Sequence, residues 1–143
     1  MGDMSGMSPT SRTLRTLKAQ GTIAGIVEKF NQFAGPHGIR QDLFGFIDVI
    51  AIDPERGIVG VQCCARSGHA AHRTKILENE IAPEWLACGG RIEIWSWAKQ
   101  KVKRGGKAER WTPKVEEITI ASFDAAIDGE PTTADEANQE GRG

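Results

Sequence analysis

Apolar positions Leu14, Leu17, Ile23, Ile26, Val27, Phe30 and Phe33 recur at mostly helical spacing, which predicts a helix over residues 11–33. Ser11 is placed to cap it. Gly21 and Gly25 each cost about 1 kcal/mol relative to Ala in a helix, so the pattern leaves room for a break near Gly21. Gly35-Pro36-His37-Gly38 then ends the segment with turn chemistry. Two alternating runs, 45–52 and 58–64, predict strands joined by Asp53-Pro54-Glu55-Arg56-Gly57. Residues 65–88 read as a loop followed by a helix, stopped by Gly89-Gly90. "RIEIWSWA", 91–98, is a third strand, and "WTPKVEEITI" begins a last one that Pro113 assigns to a sheet edge. The order predicts a small α/β domain with a mixed central β-sheet flanked by helices.

Two polar residues break the apolar strands, Asp48 and Gln62. If the five residues 53–57 form the hairpin loop, Ile52 lies opposite Ile58, Ile50 opposite Gly60, and Asp48 opposite Gln62 on one face. A slip of one residue would separate the two. A charged Asp in such a strand needs compensation. One reading is a divalent ion such as Mg²⁺, for which Asp48 offers a carboxylate and Gln62 a carbonyl oxygen. The other is a buried Asp–Gln hydrogen bond that fixes register. Trp95 and Trp97 share a strand face with Glu93. Packing beneath the first helix is the plainer reading of the tryptophans, and a salt bridge that of Glu93.

The net charge of −1 conceals an asymmetry. Residues 11–123 hold 17 Lys/Arg against 12 Asp/Glu, whereas residues 124–143 hold six acids and only Arg142. A basic body suits a polyanionic partner. Residues 1–10 and 124–143 lack apolar periodicity and are expected to be a disordered N-terminal tail and a flexible acidic tail around one domain, 11–123. Three cysteines, two adjacent, make a poor disulfide framework, and no apolar run approaches a membrane span or a secretory signal. The expectation is a cytoplasmic protein without a membrane association. "KQKVKRGGK" places Lys99, Lys101, Lys103, Arg104 and Lys107 in nine residues, a group suited to phosphates. Arg66, His69, His72, Arg73 and Lys75 form a second basic group.

Asp48, a hairpin turn and then Gln62-Cys63-Cys64 resemble the core of the PD-(D/E)XK nuclease superfamily, which includes type II restriction enzymes and archaeal Holliday-junction resolvases. "RQDLFGFIDVIAID…GIVGVQCC", a basic helix and "WLACGGRIEIWSW" are similar to its phage and prophage members, over about residues 12–123. The resemblance implies a restriction-endonuclease-like core and a metal-dependent (Mg²⁺ or Mn²⁺) DNA endonuclease acting on branched DNA as a homodimer. It puts Asp48 at the motif's first acid, Gln62 and Cys64 at the (D/E) and Lys positions, and Glu28 at the upstream acid on the first helix. Gln62 lacks the motif's carboxylate charge and Cys64 its cation. Lys75 is the substitute cation of choice, with Arg73 second. Asp42 reads as a turn or cap residue at the strand entry, with membership of the metal site as the lesser alternative. These departures keep open a nuclease fold that only binds DNA, and a protein-interaction domain is a remoter reading.

Overall fold

The computed structural model describes residues 6–128. It opens with helix α1, Pro9–Ala19. The Ser8 hydroxyl accepts from the Ser11 N–H at 3.1 Å and Pro9 occupies the first turn, so the cap is Ser8 rather than Ser11. The helix ends at Gly21, whose φ of 83° is a left-handed conformation. The Thr22 N–H reaches the Leu17 carbonyl at 3.0 Å and the Gly21 N–H the Lys18 carbonyl at 3.0 Å, the paired bonds of a Schellman stop. The predicted helix to Phe33 is therefore corrected. Ile23–Ile26 is strand β1, and Lys29–Asn31 and Ile39–Gln41 are strands β2 and β3 of a separate two-stranded ribbon.

The central sheet adds β4 (Val49–Asp53), β5 (Gly57–Ala65), β6 (Arg91–Lys101) and β7 (Glu109–Ile118), in the order β1-β4-β5-β6-β7. Strands β1, β4 and β5 form an antiparallel meander. The β4–β5 register is the expected one, with Ile52 opposite Ile58 and Ile50 opposite Gly60. Asp53 sets the turn: its Oδ1 accepts from the N–H groups of Glu55 and Arg56 at 2.9 and 3.2 Å, and Gly57 has φ 93°. Strand β6 runs parallel to β5, which requires a crossover. The crossover contains a 3₁₀ turn, Arg66–Gly68, and two helices where one was expected, α2 (His69–Leu77) and α3 (Ala82–Ala87). Strand β7 pairs only with β6, so Pro113 does lie on an edge strand. Helix α4, Ile120–Asp128, was not anticipated; the rest of the acidic tail and residues 1–5 lie outside the described residues.

Alternation along the strands divides the core in two. Leu17 of α1 covers Val49, Ala51, Val59, Val61, Cys63, Trp95 and Trp97 on one face. Trp97 donates its indole N–H to Thr13 Oγ1 at 2.9 Å, so the tryptophans are packing residues beneath the first helix. On the other face Ile76 of α2 and Ala82 of α3 close over Phe46, Ile47, Cys64, Ile92, Ile94 and Ile118. Each large aliphatic buried here stabilises the fold by about 1.5–3 kcal/mol. Glu93 pairs with Arg56 and accepts from Trp95 Nε1 at 2.9 Å. Among the described residues no helix is long and apolar enough to cross a membrane, and Cys63, Cys64 and Cys88 are free thiols.

Candidate metal centre

The centre is assembled where β4 begins beside the far end of β5. Immediately before β4 the chain makes a tight turn, in which the Leu43 N–H meets the Ile47 carbonyl at 2.8 Å and the Ile47 N–H the Leu43 carbonyl at 3.0 Å. Phe44 and Gly45, with φ of 57° and 87°, supply the two consecutive left-handed residues that reverse the chain. Continuing the Leu43–Ile47 pairing by one residue sets Asp42 across from Asp48. The Asp48 carbonyl in turn accepts from the N–H groups of Val27 and Glu28 at 2.9 and 3.3 Å. That bond fixes the link between β1 and β2, and brings in Glu28.

Asp48 is buried, and its Oδ2 accepts from Gln62 Nε2 at 2.7 Å and from the Cys63 N–H at 2.8 Å. Gln62 is only 1% exposed; its Nε2 also lies 3.4 Å from Asp42 Oδ2, while its buried Oε1 meets no donor. Lys75 on α2 reaches Asp42 Oδ2 at 3.2 Å. Glu28, Asp42 and Asp48 each present an oxygen, all within 4.8 Å of one another.

Three carboxylates so close disfavour one another's charge, which Lys75 at Asp42 and Arg40 at Glu28 offset only in part. Burial, reinforced by hydrogen bonding to Asp42 and the charges of Asp42 and Glu28, pushes Asp48 up to about 8 despite the Cys63 N–H. For Asp42 burial acts upward too, but hydrogen bonds from Asp48, Lys75 and Gln62 and the Lys75 charge hold its carboxyl below the usual range. A divalent ion entering here would compete with the proton that burial and the neighbouring acids favour on Asp48. The donor set fits a hard ion: three carboxylates, and a buried amide oxygen lacking a donor that a half-turn of the Gln62 amide brings toward them.

The side chains expected at this site thus meet, Glu28 by a route the sequence did not indicate. Asp48 and Gln62 are side by side as predicted. Glu28 arrives from the β1–β2 link rather than from a helix. Lys75 comes from α2. Asp42 is part of the acidic group, not merely a turn residue; the signal for it was the spacing of two acids around Gly45. Cys64 turns into the apolar core, and burial pushes its thiol up to about 11, so it offers no charge.

The second basic group divides. His69 is buried with its ring nitrogens 2.7 Å from Ser96 Oγ and from Glu116 Oε1. Arg73 donates to Glu116 Oε2 at 2.8 Å, and Arg66 to the Thr112 carbonyl at 3.0 Å. These three bind α2 and its entry turn to β6 and β7, and His69 has no polar atom left for a ligand. His72 lies one turn before Lys75; burial, and then the Lys75 charge, lower its pKa. Lys99, Lys101, Lys103, Arg104 and Lys107 are all exposed. They lie on and around the β6–β7 hairpin tip, whose pairing continues to Lys101 and Glu109 after β5 has ended opposite Trp97. Comparison with family models, with curated proteins and with solved structures finds no match to this chain.

Proposed function

We propose that the chain is a metal-dependent endonuclease of the PD-(D/E)XK type that hydrolyses phosphodiester bonds in branched DNA, as a homodimer. The observation that carries this reading is a double replacement. Asp42, within 4.8 Å of Asp48, contributes the carboxylate that Gln62 lacks, and Lys75, 3.2 Å from Asp42, the cation that Cys64 lacks. The element order supports it as well: a helix, an antiparallel meander bearing the acids, a helical crossover and a parallel strand.

Glu28, Asp42 and Asp48 would hold Mg²⁺ or Mn²⁺, with Gln62 as a neutral oxygen donor. Such an ion supplies an activated water and neutralises phosphate charge. Asp48 gives up its proton as the ion enters. Lys75, held by α2 against the acids, faces the charge that develops on the phosphate; a fixed cation there is effective because it needs no reorganisation. The basic hairpin of β6 and β7 projects from the end of the sheet at which β5 reaches the site, and supplies phosphate contacts.

A second reading, a DNA-binding module without cleavage, is favoured by the Gln62 amide, whose hydrogen bonds to Asp48 and Asp42 hold the acids together with no ion. Incubation with Mn²⁺ and a four-way junction, a flap and a linear duplex separates the two. The endonuclease should cut at least one branched substrate, Asp48→Ala should cut none, and both should bind DNA. Salt-sensitive binding without cutting by the wild-type chain would favour the module. Undiminished cutting by folded Asp48→Ala would remove the site from the chemistry.

A further inference from the structure

The β2–β3 ribbon stands between two of the site acids, Glu28 just before β2 and Asp42 just after β3. Lys29 pairs with Gln41 and Phe30 with Arg40. Alternation therefore places Glu28, Phe30, Arg40 and Asp42 on one face of the ribbon, with the acids at its foot. Arg40 shares that face, since it reaches Glu28 Oε1 at 3.2 Å. Phe30 lies two residues above Glu28, roughly 7 Å along the strand.

The aromatic rings of this ribbon are not core residues. Phe30 is 58% exposed and Phe33 87%. Phe30 is nevertheless held: its ring lies across Gly38, where a Cβ would collide with Cζ. Gly38, with φ 83°, thus leaves room for the outer end of the ring, Cζ and the two Cε atoms, while much of the side chain stays exposed. Asn31 Oδ1 accepts from the Phe33 N–H at 3.0 Å and shapes the turn. A concavity of about 350 Å³ lies along the ribbon, lined by Phe30, Gln32 and Phe33 together with Lys29, Asn31 and Gln41 of the ribbon's other face. Aromatic faces stack on any base, and an arginine beside the ring suits an adjoining phosphate.

We propose that the ribbon is a base-reading element, in which Phe30, seated on Gly38, stacks on an unpaired nucleobase next to the phosphate that an ion at Glu28, Asp42 and Asp48 would engage. The occupant follows from continuity with the site: Arg40 lies across from Phe30, and the same face leads directly to the acids. This inference rests on the nuclease reading. It adds the reason for a branched substrate, since a fully paired duplex offers no base for Phe30 to stack on.

The test is binding of the full chain, in EDTA, to a duplex bearing a short flap and to the same duplex fully paired, followed by fluorescence anisotropy. Phe30→Ala should weaken flap binding roughly tenfold and leave paired-duplex binding unchanged. Phe30→Tyr should restore it, and 2-aminopurine in the flap should change its emission with wild type but not with Phe30→Ala. Phe33→Ala, at a site too exposed to unfold the chain, should lower flap binding in the same selective way. Equal loss on both substrates, or no loss, would overturn the assignment. So would a Phe33→Ala variant that shifts a dimer to monomer in sedimentation without selective loss of flap binding. If cleavage depends on Asp48 while Phe30→Ala is indifferent, this inference alone fails. If the wild-type chain binds neither DNA, the nuclease reading fails with it.

Discussion

Asp48 concentrates the electrostatic conflict of the molecule. Burial and the neighbouring acids raise its folded pKa to about 8 from 3.8. A carboxyl raised in the folded state contributes stability that is fully present below its ordinary pKa and is lost as pH rises through the folded value. In EDTA the melting temperature of the wild-type chain should therefore fall between about pH 5 and about pH 8 more steeply than that of Asp48→Asn, whose amide does not titrate. Mg²⁺ should reduce the difference by stabilising the charged form, increasingly toward high pH, because ion binding displaces the proton. Parallel melting curves for the two chains would show that Asp48 does not carry the shift. At this scale Asp48 and Gln62 were legible from residue type and register, whereas Glu28 and Lys75 entered through the family resemblance. Asp42 read first as a turn or cap residue, because a tight turn and an acidic side chain explain each other locally, and the Leu43–Ile47 pairing is what sets its carboxylate beside Asp48.

Among the elements, the β4–β5 hairpin connects the site to the core. Ile50 faces Gly60, and a Cβ at Gly60 would lie 2.8 Å from Ile47 Cδ1 and 3.3 Å from Trp85 Cζ2. Ile47 is fully buried, and its backbone closes the turn that presents Asp42. Gly60→Ala should consequently destabilise the fold by about 1–3 kcal/mol in chemical denaturation, the usual cost of overpacking. A neutral result would mean that Ile47 shifts without strain. The hairpin register was readable because alternation fixes which pairing buries one face; the register holds although Asp53 already pairs with Gly57, a tighter turn than the five residues assumed. The first helix was overextended because Ile23, Ile26, Val27 and Phe30 suit a helix as well as two short strands. Gly21 decides the matter only together with a partner strand, and that partner, β4, is more than twenty residues away.

At the scale of the molecule, charge and shape work together. The β6–β7 hairpin extends its basic tip past the sheet, and the site lies where β4 meets the end of β5. If the tip touches DNA phosphates, replacing Lys101, Lys103, Arg104 and Lys107 by Ala should weaken binding to all DNA substrates alike. It should also flatten the dependence of log K on log salt by roughly 0.9 for each phosphate that is no longer neutralised. An unchanged salt slope would assign the tip to solvent. Uniform weakening here and flap-selective weakening at Phe30 would separate phosphate binding from base stacking.

Local sequence determined the β4–β5 strand pair and the strand over 91–98, their alternation, the Asp48–Gln62 pairing and the basic turn that follows, because each depends on neighbours in the chain or across one short turn. Tertiary structure alone decided that residues 23–26 pair as a strand, that His69, Arg66 and Arg73 brace α2, and that Asp42 and Glu28 face Asp48 across the base of a ribbon. Those outcomes depend on which distant segments supply hydrogen bonds and close the apolar faces. Spacing along the chain does not encode such partners; burial and backbone pairing select them.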